Sequence, residues 1–342
     1  VERGQCGREA SWAGGGIVSP LYPWRYSKAI SALSSWSEGR YPELAGRLLE
    51  ETGIDPEYRQ KGLLYLRVED VDVALAWARE VAKPLSRIDA ETLYAKEPNA
   101  APGFEGALWM PTLGSIRNPR LGQALRARLL QMPGVSLHEQ CEVSALIREG
   151  AAIRGVATSQ GAIRAGQTVV CAGAWSRALL AGLGVELPVR PVRGQMILFK
   201  APPGLVERVV LKDGRYVIPR GDGRVLAGST LEEVGFDKQT TREARESLHA
   251  SALSIVPALA ECPVEHHWAG LRPGSPDGIP MIGAVPTFEG LHVNAGHYRN
   301  GLVLAPAATR LLVDQLIGCE PIVDPSPYLP GSRLLGPDVS AR

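Results

Sequence analysis

The run Gly296-His297-Tyr298-Arg299-Asn300-Gly301-Leu302 constrains this chain most. The residues before it, Leu291-His292-Val293-Asn294-Ala295, alternate between apolar and polar and predict a strand. After it, from Leu302 to Leu316, helical spacing sets Leu304, Leu311, Leu312 and Leu316 on one side. A strand that enters a helix through a tight glycine turn aims free backbone N–H groups and the positive end of the helix dipole into a crevice. The same turn sets an arginine there, beside a histidine and an asparagine, and so prepares a place for something anionic.

The chain has 342 residues, 45% apolar and 21% charged, with a net charge of +1, which suits one large or two modest domains. Near-neutral charge argues against nucleic acid or an anionic membrane surface as partner. No apolar run is long enough to span a bilayer. The five cysteines are odd in number, widely spaced and without a C-x-x-C pair, so they read as thiols in a reducing cytoplasm. His266 and His267 are adjacent and face opposite ways on a strand, so no metal site is expected.

The pattern predicts a polar, glycine-rich loop over Glu2 to Pro20 with a short turn at Ala10 to Ile17, one long helix from Tyr26 to about Thr52, a strand at Leu63–Val68 and a helix at Val71–Ala82. A capped helix at Asp89–Tyr94 and a strand at Phe104–Met110 follow. A helix then runs to about Gln131, with Asn118 as its cap and Pro119 in its first turn. Short strands fill 135–167, a buried strand covers Gln167–Cys171, and a β-meander with strands at 195–199, 209–211, 215–219 and 224–227 precedes a helix at Thr241–Ile255. Stretches of α/β alternate with antiparallel β. This predicts α/β plus α+β: a Rossmann-like layer over 1–55, 112–185 and 265–325, interleaved with an antiparallel-sheet unit over 56–111 and 186–264, and a tail over 326–342.

Five segments together resemble the glycine oxidase branch of the FAD-dependent D-amino-acid oxidase family. They are Glu2-Arg3, Ala10 to Ile17, Arg215 to Arg220, Trp268 to Gly274, and Gly296 to Leu302. They span nearly the whole chain. The run from Gly270 to Gly283 is the most specific, and is more similar to bacterial glycine oxidases of the thiamine pathway than to sarcosine oxidases or D-amino acid dehydrogenases. The resemblance implies FAD as cofactor, a small amino acid and oxygen as substrates, and a homo-oligomer. Glu2 resembles the acid that holds the adenosine ribose, ~20 residues beyond the glycine-rich turn in a dinucleotide fold. That turn, with its strand and helix, is therefore expected upstream of Val1.

The resemblance assigns Arg272 and Arg299 to the substrate carboxylate, which a rigid guanidinium fork matches. An isolated arginine is more often an interface ion pair, and Arg272 reads as part of a Gly/Pro-bounded turn. Tyr216 is implied to hydrogen-bond the same carboxylate; otherwise it is a half-buried sheet tyrosine. The family histidine two residues before it is Gly214 here. Glu2, Arg3, Ala10, Ser11, Gly15, Gly16, Ile17 and Val143 are implied to contact the flavin, together with His297, Tyr298, Arg299, Asn300, Gly301, Leu302 and Val303. Leu231 would line the substrate pocket. The implied activity is oxidative deamination by transfer of a hydride from Cα to flavin N5. A sister D-amino acid or sarcosine oxidase or a dehydrogenase is the alternative. A flavin-free remnant is the second, because the dinucleotide glycine turn is absent.

Overall fold

A computed structural model describes residues 1–334; the rest of the predicted tail lies outside the described residues. Its largest element is an eight-stranded sheet in the spatial order 264–274, 190–199, 225–228, 215–219, 209–212, 63–66, 106–110 and 86–89. The meander from Arg190 to Gly228 is antiparallel, and Leu63–Leu66 joins it in parallel with Val209–Lys212. These strands are apolar on both faces, and their period of two divides the side chains between two cores. Leu64, Leu66, Ile197, Phe199, Val210 and Val217 pack on one face with Leu248 and Ala252 of the helix Arg242–Leu253. Leu63, Tyr65, Val209, Leu211, Tyr216 and Ile218 pack on the other with Ile17 and Trp24. Tyr216 is thereby placed on the face that meets the amino-terminal glycine turn.

Two three-stranded sheets complete the β structure of the described residues. In one, Leu291–Ala295 lies between Met281–Ala284, antiparallel, and Thr168–Val170, parallel. The other is a meander of Val143–Glu149, Ala152–Thr158 and Gly161–Arg164. The helix Gly301–Ile317 leaves the central strand of the first sheet and packs against Ile30, Leu33, Leu48 and Leu121 from three other helices.

Several expectations change. The single helix from Tyr26 to Thr52 is two, Lys28–Glu38 and Tyr41–Thr52, the first capped by Ser27 accepting from the Ile30 N–H. Pro42 explains the break: it has no N–H to bond the carbonyl four residues back, and its ring would clash there. Ala10–Ala13 is one helical turn rather than a loop. Asn118 is the first residue of its helix and not the cap; its amide donates to the Ser11 carbonyl instead, at 3.0 Å. Arg272 lies on a strand, Val264–Gly274, and not in a turn. Pro273 had suggested a turn, but this strand is the sheet edge, where a residue without an N–H is tolerated.

Candidate active site

The Arg272 strand runs antiparallel to Arg190–Phe199, with Arg272 opposite Val192. Its guanidinium leans over Gly194, where a Cβ would sit 2.0 Å from Nη1. Gly194 is therefore the floor on which Arg272 lies. Nη2 donates to the Ser229 hydroxyl at 2.7 Å and Nη1 to the Thr230 carbonyl at 3.1 Å. Both partners are neutral, and among the described residues no carboxylate pairs with Arg272. Burial draws its pKa down, and the charges of Arg299 and Arg215 push the same way. Tyr216 and Tyr298 also stand within reach of its field.

The Ser229–Thr230 segment is held from behind. Thr230 N–H donates to the Gln195 carbonyl, and the Thr230 hydroxyl accepts from the Gln195 N–H at 2.8 Å. Buried Arg193 binds Glu232 and Asp237, and Glu232 also accepts from Gln195 and from Thr230. A network so fully bonded fixes the acceptors of Arg272 in place. Leu231, between them, is exposed.

Arg299 is exposed and has no hydrogen-bond or ion-pair partner among the described residues. Its turn is built by backbone contacts. Tyr298 takes a positive φ of 47° and donates its N–H to the Pro273 carbonyl at 2.9 Å, tying the turn to the Arg272 strand. The Ser275 hydroxyl donates to the Gly296 carbonyl at 2.7 Å. Among the described residues the helix from Gly301 has no side-chain cap: Asn300 at the cap position is buried, and its Nδ2 lacks a partner there. Leu302 and Val303 form its first turn, with Val303 buried. Burial brings the His297 imidazole down to about 4, so it is neutral at physiological pH.

The amino-terminal glycines close the other side. A Cβ on Gly15 would lie 3.1 Å from the Tyr216 hydroxyl; at Gly16, φ is +88° and a Cβ would lie 1.9 Å from the Ile116 carbonyl oxygen. Only glycine fits there. Ala10 and Ser11 sit on the preceding turn, which is clamped by Trp268 donating to the Ala13 carbonyl and by Gly270 beneath Ala13. Among the described residues, the N–H groups of Gly15, Gly16 and Ile17 have no acceptor.

Glu2, Arg3 and Val143 form a second group. Glu2 pairs by its backbone with His138 and Cys141, two residues before Val143, and its carboxylate accepts from the Gly4 N–H. Arg3 stacks over Trp175 with its guanidinium 4.6 Å from the ring. The strand 143–149 belongs to the meander sheet. The reading of the sequence missed Gly194, Ser229 and Arg220. An isolated glycine inside the apolar strand was the available signal for Gly194, because it marks a close approach.

A row of unpaired N–H groups against bare glycines, an uncapped helix N-terminus and an orphaned asparagine amide fit a flat cofactor rich in acceptors. Residues 1–315 match the family of FAD dependent oxidoreductases, DAO. The chain belongs to that family. It is 57% identical over 98% of its length to a glycine oxidase of Pseudomonas aeruginosa, covering 92% of that relative. It is 53% identical over 97% of its length to a glycine oxidase of Pseudomonas putida, covering 91%. The crystal structure of glycine oxidase from Geobacillus kaustophilus superposes with a TM-score of 0.90 at 30% identity, covering 96% of this chain and 90% of that one. Among the described residues of this FAD-dependent oxidoreductase, no helix is long and apolar enough to cross a membrane.

Proposed function

We propose that this chain oxidises glycine, converting glycine, oxygen and water to glyoxylate, ammonia and hydrogen peroxide. The observation that carries the reading is the pairing of Arg272, bonded among the described residues only to neutral oxygens, with Arg299, which has no partner among them. Two unneutralised guanidinium groups beside Tyr216 suit one small carboxylate. The identity to two glycine oxidases supports glycine as that substrate.

In this reading, Arg272 and Arg299 hold the carboxylate and the Tyr216 hydroxyl donates to it, so that Cα is presented in one orientation. Gly15, Gly16, Ile17 and the turn from His297 to Val303 hold the flavin ring; Glu2, Arg3 and Val143 hold its adenosine end. FAD supplies a two-electron acceptor for the hydride of Cα. Beside Arg272 and Arg299 no strong base stands among the described residues: burial brings His297 down to about 4 and so makes it a weak one. The substrate amine therefore reacts in its neutral form, and water releases ammonia from the resulting imine. We also assign the eight-stranded sheet to the substrate-binding unit, with its boundary after Gly274 rather than at 265, because the Arg272 strand is bonded to Arg190–Phe199. The free cysteines support a cytoplasmic site of action.

The test is direct. The purified protein with FAD should show a bound-flavin absorption band and release peroxide with glycine faster than with D-alanine, D-proline or sarcosine. Faster turnover of a bulkier amino acid would replace glycine, and reduction by a quinone assay without peroxide would make it a dehydrogenase.

A further inference from the structure

Arg220 directly follows the strand Arg215–Pro219, and its guanidinium reaches the amino-terminal glycine turn. Nη2 donates to the Gly15 carbonyl at 2.8 Å and Nη1 to the Ile116 carbonyl at 3.0 Å. The two acids nearby, Glu57 and Asp222, both pair with Arg117 at 3.0 Å, so the donors of Arg220 go to peptide oxygens. Burial, and then the charge of Arg117, bring its pKa down to about 10, which still leaves it charged at neutral pH.

The bond to Gly15 has a geometric consequence. In a planar trans peptide the C=O and the following N–H point in opposite directions. A Gly15 carbonyl drawn toward Arg220 turns the Gly16 N–H away from it. The next peptide obeys the same rule: the Gly16 carbonyl accepts from the Ile116 N–H at 2.8 Å, which turns the Ile17 N–H outward. The N–H groups of Gly16 and Ile17 have no acceptor among the described residues. Gly16, at φ +88°, has no side chain to brace its peptide, so its orientation depends on what holds the neighbouring carbonyls.

We propose that Arg220 is a positioning residue for the flavin: its fork ties the Gly15 carbonyl to the Ile116 carbonyl and so fixes the direction in which the Gly16 N–H meets the cofactor, and it steadies Ile116, whose own N–H holds the Gly16 carbonyl and turns the Ile17 N–H outward. This role rests on the flavin reading given above. It is separate from carboxylate binding, which belongs to Arg272 and Arg299. A lysine in its place keeps the charge but loses the fork that spans two acceptors.

Arg220→Gln and Arg220→Lys should be compared with the wild-type protein in three measurements: FAD affinity from quenching of flavin fluorescence, anaerobic bleaching of the flavin by glycine, and thermal unfolding without FAD. In both variants FAD should bind more weakly by about 10-fold to 100-fold, and bleaching at saturating glycine should slow by a similar factor, as expected for a misaimed contact. The glycine concentration for half-maximal bleaching should move by about twofold at most, because that contact is uniform and lies elsewhere. Recovery of the bleaching rate by Arg220→Lys would overturn the fork. Wild-type FAD affinity and bleaching in both variants would overturn the role altogether. A fall in glycine affinity and in unfolding temperature that accounts for the lost activity would assign Arg220 to the fold alone. A wild-type protein that takes up no FAD would refute the flavin reading itself, whatever the variants do.

Discussion

The hydroxyl of Tyr41 donates to the carbonyl of Leu302, in the first turn of the helix that opens after Arg299. Pro306 lies four residues beyond Leu302 and has no N–H to give it. Next to it, the Ala307 N–H donates to the buried Ser37 hydroxyl at 2.9 Å. Two side chains from the helices Lys28–Glu38 and Tyr41–Thr52 thus take over the backbone partners that the proline disrupts, directly behind the turn that carries Arg299.

Tyr41→Phe strands the Leu302 carbonyl, and should lower stability by about 1–3 kcal/mol. The second substitution Pro306→Ala restores an N–H to that carbonyl, so Tyr41→Phe should cost less in its presence. Urea unfolding of the four proteins measures the difference. Equal costs in both backgrounds would separate Tyr41 from the proline.

Arg299→Ala removes a side chain without a protein partner among the described residues. Unfolding should change by less than about 0.5 kcal/mol. Loss of a charged contact to the substrate should lower kcat/KM for glycine by about 2–5 kcal/mol. An unchanged KM in a flavin-loaded sample removes Arg299 from the carboxylate site.

Arg272→Lys keeps the charge over Gly194 but cannot bond Ser229, Thr230 and a carboxylate with a planar fork. Its turnover of glycine should fall by about 100-fold, as for other small misplacements of a positioning group. Wild-type turnover would reduce its part to charge alone. Gly194→Ala should act in the same direction, because its methyl group occupies the place of the guanidinium.

Much of this arrangement could be read along the chain, and the limits have a common cause. Tyr216, the glycine turn at Gly14–Ile17 and the strand-turn-helix at Arg299 were legible because each is local: alternation, missing Cβ atoms, and a helix that starts at a glycine. Arg272 was legible by type but not by setting. Pro273 and Gly274 read as a turn in sequence, and only the sheet edge explains them. The break at Gly39-Arg40 was written in Pro42, which the apolar periodicity around it obscured. Arg220 and Gly194 act on residues far away, Arg220 on a carbonyl 205 positions earlier, and no local pattern encodes such a partner.

Glu97 gives a pH dependence outside the site. It is fully buried; its Oε2 accepts from the N–H groups of Glu207 and Arg208 at 2.9 Å, and its Oε1 has no partner among the described residues. Burial pushes the carboxyl from its usual 4.5 up to about 7. Between those values the folded chain holds a proton that the unfolded chain has lost, so stability falls as pH rises through this window and levels off above it. Glu97→Gln should flatten that slope and gain on the order of 2–3 kcal/mol relative to wild type at pH 8 compared with pH 4. Parallel unfolding curves for the two proteins across that range would exclude Glu97 as the source.

Arg272 is solvated by a hydroxyl and a peptide carbonyl, not by an acid. A dipole eases the burial of a cation without cancelling its charge. The surroundings of Arg272 therefore keep an electric field that extends beyond contact distance, reinforced by Arg215 and Arg299. Such a field sorts visitors by charge before any contact sorts them by shape. If Arg272 and Arg299 hold the substrate carboxylate, any small carboxylate should compete with the substrate whether or not it carries an amine, and added salt should weaken both alike by screening the field that draws them in.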